Sequence, residues 1–357
     1  MTTPAPRTAH PYRMYDAIIA QPDAIASVIA SQRELCAEIG RTLSGKRRIH
    51  VVGIGTSWHA ALVGASILTD GPEAFAHNSF EFCTATPSVT ADDGVIVISH
   101  RGTKRSSYDA LDVAMAKGAY TVAITSTDPG PRIQVADAGV RTVEQETSAA
   151  FTISYTTALT VLAMLNLAMA GHLTDSDNGL SELPGNIAAI LSREDDVKAV
   201  VADHQDKRRF ISAGWGADTA NAYEVALKIK ETSRADCEGF QIEQLLHGPF
   251  CSLDPDCLLT FIATPGDDRG RALDLTNAAA ALGAPVWALS NRPDGGLAEA
   301  GARIFRLPIT PSYLTPIASV VPLQLFTYHL ALARGAHPDL FQQDILGQAA
   351  ARVHYDL

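Results

Sequence analysis

The stretch Ile49-His50-Val51-Val52-Gly53-Ile54-Gly55-Thr56-Ser57-Trp58 decides the fold. A β-branched run ends in two glycines and passes through hydroxyl residues into a segment of helical period over residues 58–68, the order strand, tight turn, helix. The same order returns in the second half: a strand over 209–213, the turn Gly214-Trp215-Gly216, and a helix over 219–232. Two copies of one strand-turn-helix opening point to tandem domains of a single fold.

Working outward, short apolar runs alternate with helical segments. Strands are expected over 49–54, 95–99 and 121–125, with helices over 58–68, 106–117 and 155–170. Residues 172–206 break the pattern with Asp-Ser-Asp-Asn-Gly and Leu-Pro-Gly, and hold one helix beginning at 187–192. Alternation then resumes with strands over 258–264, 286–290 and 304–307 and helices over 271–282 and 317–334. The expected class is α/β, two tandem domains, each a mainly parallel sheet flanked by helices in three layers. The expected organisation is an N-terminal helical segment (1–35), a first domain (36–171), a connection (172–206), a second domain (207–340) and a C-terminal tail (341–357).

Composition supports compact globular structure, with 46% hydrophobic and 19% charged residues among 357. A formal charge of -11 gives no general pull toward nucleic acid or an anionic membrane, so an anionic ligand needs a local cluster of donors. Cys36, Cys83, Cys237, Cys251 and Cys257 are scattered and lack paired spacing, which predicts free thiols and no metal site. Residues 1–12 have no apolar core of a signal peptide. Apolar stretches such as 158–170 fall short of the roughly 20 residues of a membrane span. A cytoplasmic protein is expected.

Two loops suit an anion. In the first, Gly55, Thr56 and Ser57 put small residues and hydroxyls where a helix begins. The bland alternative there is a tight turn with Ser57 as helix cap. A dinucleotide fingerprint would place a third glycine at Trp58, so a nicotinamide-dependent oxidoreductase loses most of its support and stays as a third reading resting on the α/β pattern alone; no cofactor is expected. The second loop holds Ser99, His100, Arg101, Gly102, Thr103, Lys104 and Ser106, with Arg105 adding a third cation. Cations are unfavourable at a helix N-terminus, so their clustering there suggests a bound anion; the bland alternative is that Lys104 and Arg105 are solvated first-turn residues.

Acid/base groups gather further on. Glu224, Lys228 and Glu231 fall at i, i+4 and i+7 of one helix, either as a solvated stripe or as working groups. Then comes Leu245-Leu246-His247-Gly248-Pro249, a histidine in an apolar run held by a Gly-Pro turn. A carboxylate and an imidazole are the groups that open a sugar ring and move a proton between adjacent carbons.

With Gly55-Thr56-Ser57, residues 155–162 (Tyr-Thr-Thr-Ala-Leu-Thr-Val-Leu), Glu224 to Glu231, His247-Gly248-Pro249 and Val321-Pro322-Leu323-Gln324-Leu325, the chain resembles the tandem sugar-isomerase (SIS) domain family from about residue 14 to 339. The likeness is to the isomerase half of the glutamine-fructose-6-phosphate aminotransferases and to related sugar-phosphate deaminases and deglycases. The resemblance implies that Ser57, Ser99 and the loop to residue 107 hold the phosphate of a sugar or amino sugar. It also implies that Glu231 shuttles a proton between C1 and C2 and that His247 assists ring opening, in a homodimer with the site near the subunit interface. Glu224 and Lys228 read as a supporting pair.

Two departures qualify the likeness. The family's loop typically reads Ser-Gln-Ser-Gly-Glu-Thr where this chain has Ser99-His100-Arg101-Gly102-Thr103-Lys104, and residues 341–357 lack the lysine that forms an imine in the synthases. No glutaminase domain precedes residue 14, so a complete synthase is not expected. The leading expectation is a sugar-phosphate isomerase or amino-sugar-phosphate deaminase. The alternative is an inactive sugar-phosphate-binding regulatory protein.

Overall fold

The computed structural model describes residues 6–85, 88–176, 178–264, 270–293 and 295–355; the first five residues of the N-terminal segment and the last two of the tail lie outside them. The chain forms two compact units. One comprises residues 20–146 and 151–185, the other residues up to 19, 147–150 and from 186 onward.

The first unit is built on five parallel strands, β1 (Ile49–Gly53), β2 (Ala74–Asn78), β3 (Gly94–Ile98), β4 (Tyr120–Thr125) and β5 (Ala138–Arg141), in the order β2-β1-β3-β4-β5. β1 and β3 are buried along their whole length, which is why they read as unbroken apolar runs. The helix Gln21–Ser44 packs on the wholly buried helix Ile153–Met169 so closely that a Cβ at Gly40 would lie 2.3 Å from that of Ala168.

The second unit repeats the plan with β6 (Arg209–Gly214), β7 (Asp236–Gln241), β8 (Cys257–Ala263), β9 (Val286–Ser290) and β10 (Ala302–Arg306), all parallel, in the order β10-β9-β8-β6-β7. Read from the other edge this is the order of the first sheet. In such sheets ligands bind beyond the carboxyl ends of the strands, where the strand order reverses: next to β1 and β3 in the first unit, β6 and β8 in the second.

The expected α/β class and tandem parallel sheets are what the chain forms. Three strands went unread. β2, β5 and β7 are partly exposed edge strands, and their mixed sequences (Ala-Phe-Ala-His-Asn, Ala-Gly-Val-Arg, Asp-Cys-Glu-Gly-Phe-Gln) carry neither a continuous apolar run nor a clean alternation. The stretch 172–206 holds two helices, Leu183–Leu191 and Glu194–His204. The 19-residue helix Thr315–Ala333 is longer and more apolar than sequence inspection singled out, enough by length and composition to cross a membrane. In its most apolar window 89% of residues are buried inside the protein, as in a core helix. The five cysteines are free thiols, and no cluster able to hold a metal occurs among the described residues.

Candidate functional site

At the end of β1 the chain turns so tightly that a Cβ on Gly53 would lie 2.2 Å from the Ser57 carbonyl oxygen, and Gly55 takes φ +59°. The helix Thr56–Ile67 therefore starts directly over the strand end. Gly55 is at its cap and no side chain caps it, so Ser57 sits inside the first turn and is not the N-cap. This leaves helix N–H groups facing the carboxyl end of the sheet, a place that favours an anion.

The second loop is clamped to the connection after β4. The Ser126 N–H donates to the His100 carbonyl at 2.8 Å and the Gly130 N–H to that of Arg101 at 2.8 Å. Gly102, at φ +63°, fits against Ile133, whose Cγ2 would be 2.5 Å from an added Cβ. Thr56, Ser57, His100, Thr125, Ser154 and Tyr155 line the cleft between these elements, with apolar side chains filling the gaps.

The sequence-predicted residues separate here. Ser57 and Thr56 face the cleft, as does His100, whereas Arg101 and Arg105 turn elsewhere. The Arg101 Nη2 donates to the Glu146 carbonyl at 3.0 Å and its guanidinium stands 5.0 Å over the Phe151 ring. Arg105 is exposed and lies 3.5 Å from Asp109 one helical turn on. Ser99 is buried at the root of the loop, Thr103 is exposed, and Ser106 is 3.0 Å from the Ser79 hydroxyl. His100 is buried, and burial together with the neighbouring Arg101 pushes its pKa down to about 4, so the ring is neutral at physiological pH.

Thr125, Thr142, Ser154, Tyr155 and Glu146 escaped attention as site residues. Thr125 ends β4 and Thr142 follows β5, places that become recognisable once both strands are known. Glu146 accepts the Thr152 and Ser154 N–H groups at 2.9 Å each, capping the helix that carries Ser154 and Tyr155.

In the second unit the helix Asp218–Ser233 presents the charged stripe, and the stripe is not solvated. Glu224 and Lys228 are 1% and 2% exposed. The Lys228 Nζ lies 2.5 Å from the Glu231 Oε2 and 3.5 Å from the Glu224 Oε1. The reason is packing on two sides: β7 presses against the helix at Gly239, where a Cβ would meet the Ala222 carbonyl at 2.6 Å, and the helix Thr315–Ala333 also packs against it. One ammonium between two carboxylates offsets charge where water is excluded. The C-terminal tail bonds near the end of this helix, the Gln342 amide donating to the Lys230 carbonyl and Arg234 pairing with Asp344 at 2.6 Å.

His247 is not buried in its apolar run. It follows the short helix Ile242–Leu246 and is 65% exposed, its Nδ1 donating to the Glu243 carbonyl at 2.9 Å. In the neutral ring that leaves the Nε2 lone pair free to take a proton. Its partner is Glu243, itself held by Arg271 at 2.6 Å, and not Glu231.

Two parallel five-stranded sheets of one strand order, each opening on a glycine turn with a hydroxyl-rich cleft beside the first, define a tandem α/β protein. The chain belongs to the SIS domain family, whose model matches residues 42–168 and 204–334. It is 30% identical over 350 residues to a glutamine–fructose-6-phosphate aminotransferase of Thermococcus kodakarensis, a match covering 94% of this chain and 57% of that protein. Human glutamine–fructose-6-phosphate aminotransferase 2 is 29% identical over 304 residues, 82% of this chain and 44% of the relative. The chain thus spans about half the length of the curated relatives it matches. Its fold is shared with the C-terminal domain of the Francisella tularensis glucosamine-fructose-6-phosphate aminotransferase (TM-score 0.83, 20% identity, covering 94% of this chain and 99% of that one). It is also shared with Escherichia coli tagatose-6-phosphate ketose/aldose isomerase (0.81, 21%, 94% and 97%).

Proposed function

We propose that this chain is a sugar-phosphate enzyme, an aldose-ketose isomerase or amino-sugar-phosphate deaminase, in which Glu231 moves a proton between C1 and C2. The observation that carries it is the buried Glu224–Lys228–Glu231 row, with Glu231 at its more exposed end. A surface pair would need no such burial, and a binding protein would need no such base. Within the first unit, the anion-binding role falls to Thr56, Ser57 and the loop from Ser99 to Ser106. The carboxylate of Glu231 takes the C1 proton of the open-chain ketose while the C2 carbonyl oxygen takes up a proton and the C1–C2 double bond of an enediol forms; O1 then gives up its proton to become the aldehyde oxygen as the proton on Glu231 returns to C2. His247 assists ring opening through its free Nε2. The protein is read as a cytoplasmic homodimer with His247 near the subunit interface, which sedimentation would register as twice the chain mass.

The decisive experiment is a turnover screen over hexose and hexosamine 6-phosphates with Glu231→Gln as control. Turnover lost in the variant supports the reading. Absence of turnover on every substrate sinks it, and tight binding without turnover would mark the chain as a regulatory binding protein.

A further inference from the structure

His247 follows the short helix Ile242–Leu246 one turn after Glu243, and the two share its outer face because Ile242 and Leu245 are buried in the core of the second unit. The carbonyl oxygen of Glu243 can only accept, so its 2.9 Å bond with the His247 Nδ1 puts the proton of the neutral ring on that nitrogen. The Glu243 carboxylate stands beside the same atom, its Oε1 3.5 Å away. Main chain and side chain of one residue thus bear on Nδ1, and Nε2 keeps its lone pair.

Arg271 keeps the carboxylate there. Its Nε meets the Glu243 Oε2 at 2.6 Å and its Nη2 donates to Oε1 at 2.9 Å, a two-pronged pairing, while its Nη1 donates to Asp274 at 3.0 Å. Exposed ion pairs are ordinarily loose, but this fork engages all three guanidinium nitrogens and holds one geometry. Arg271 also opens the helix Arg271–Ala281, where a cation is unfavourable, so the helix itself gives no reason for it. With two carboxylates to one guanidinium, the surroundings of His247 stay net negative.

We infer that Glu243, gripped by Arg271, is a positioning residue that fixes His247 as an Nδ1–H imidazole and steadies the cation it becomes on taking a proton. On the sugar-phosphate reading, on which this rests, that proton comes from the anomeric hydroxyl of a furanose 6-phosphate. Nε2 takes it, the C2 carbonyl forms as the bond from C2 to O5 breaks, and the imidazolium returns the proton to O5. Glu243 never touches the sugar; its carboxylate stabilises the positive charge that the ring carries between the two transfers.

Two sugars separate this from a structural role. Fructose 6-phosphate must open before it reacts, whereas 5-deoxyfructose 6-phosphate lacks the hydroxyl that closes the ring. Glu243→Gln keeps the backbone carbonyl and the side-chain shape but not the charge, and its turnover falls about 10- to 100-fold further on the first sugar than on the second. Arg271→Met shows the same selectivity, and the double variant is no worse than Glu243→Gln. Equal losses on both sugars in Glu243→Gln overturn the inference, and so does wild-type turnover of both where His247→Asn is impaired on fructose 6-phosphate. Nitrogen-15 NMR supplies a readout without turnover: the proton sits on Nδ1 of His247 in the wild type and moves toward Nε2 in Glu243→Gln. A wild-type proton on Nε2 overturns the inference. Nδ1–H in a protein that turns over neither sugar overturns the sugar-phosphate reading instead.

Discussion

Asp218 holds in the second repeat the place that Ser57 holds in the first. A Cβ on Gly214 would meet the Asp218 carbonyl oxygen at 2.4 Å, as one on Gly53 would meet that of Ser57 at 2.2 Å, and Gly216 and Gly55 share φ values of 54° and 59°. The side chains then diverge. Ser57 offers a hydroxyl to an open cleft, whereas the Asp218 carboxylate is buried and accepts from Thr264 at 2.6 Å, Ser319 at 2.5 Å and Asn221 at 3.0 Å. The second repeat places its own carboxyl group at the helix N-terminus, where burial raises its pKa. Calorimetry should accordingly find one hexose phosphate per chain; two equal sites would refute this. Asp218→Ala removes the shared acceptor of three buried hydrogen bonds and should cost about 3 kcal/mol or more in urea unfolding.

Lys228 compensates two carboxylates at once, and its removal differs in kind from removal of either one. Lys228→Met takes the shared ammonium from Glu224 and Glu231 at once, for an expected loss of about 3–5 kcal/mol in unfolding free energy. Glu231→Gln keeps the Lys228–Glu224 pair and should cost less stability, yet it should lower turnover by about 10²–10⁴. Paired denaturation and kinetic measurements check the contrast. Equal stability losses in both variants would mean the row is not an electrostatic unit.

How far these groups could be read in advance follows from where they lie. The central strands and glycine turns were legible because burial on both faces forces continuous apolar runs, and a helix starting over a strand forces glycine. Glu224, Lys228 and Glu231 were legible as a row but not as a buried one, since the spacing i, i+4, i+7 is the same on a wet face and a covered one. The direction of Arg101 was illegible: charge at a loop suggests an anion, and only tertiary structure reveals a carbonyl and a phenyl face that take it instead. Glu146 stood in no motif, because a helix cap contributed from outside the loop has no fixed spacing to it.

Acid should unfold the protein before its carboxylates titrate. Burial, with the neighbouring His77 second, pushes the pKa of His50 down to about 4, and burial with Arg101 does the same for His100. Both are neutral when folded, while in the unfolded chain they protonate near 6.5. Below that pH the unfolded state binds more protons, so the stability these groups contribute is complete above pH 6.5 and is lost as pH falls toward 4. At pH 5 each should have cost about 2 kcal/mol. Urea midpoints at pH 7.5 and pH 5 measure the sum over these and over His77, His204 and His329, whose pKa values burial also lowers, and His50→Leu should flatten part of the slope. A midpoint independent of pH across this window would contradict the buried neutral state.

Gly53 and Gly214 make the same structural demand, and on the proposed function they serve different chemistry, so alanine at each should separate the two repeats. At Gly53 the new methyl meets the Ser57 oxygen and carbon and the Trp58 nitrogen, all backbone, within 2.8 Å; at Gly214 it meets the equivalent atoms of Asp218 and Thr219 within 3.0 Å. No rotamer relieves a clash with main chain, and the helix must lift off the strand at about 1–3 kcal/mol or more in either variant. The helix that lifts in Gly53→Ala carries Thr56 and Ser57, so the Michaelis constant or the dissociation constant for hexose phosphate should rise. The helix that lifts in Gly214→Ala carries Glu231, so turnover should fall with ligand affinity nearly kept. If both variants weaken binding alike, the division of work between the repeats is wrong.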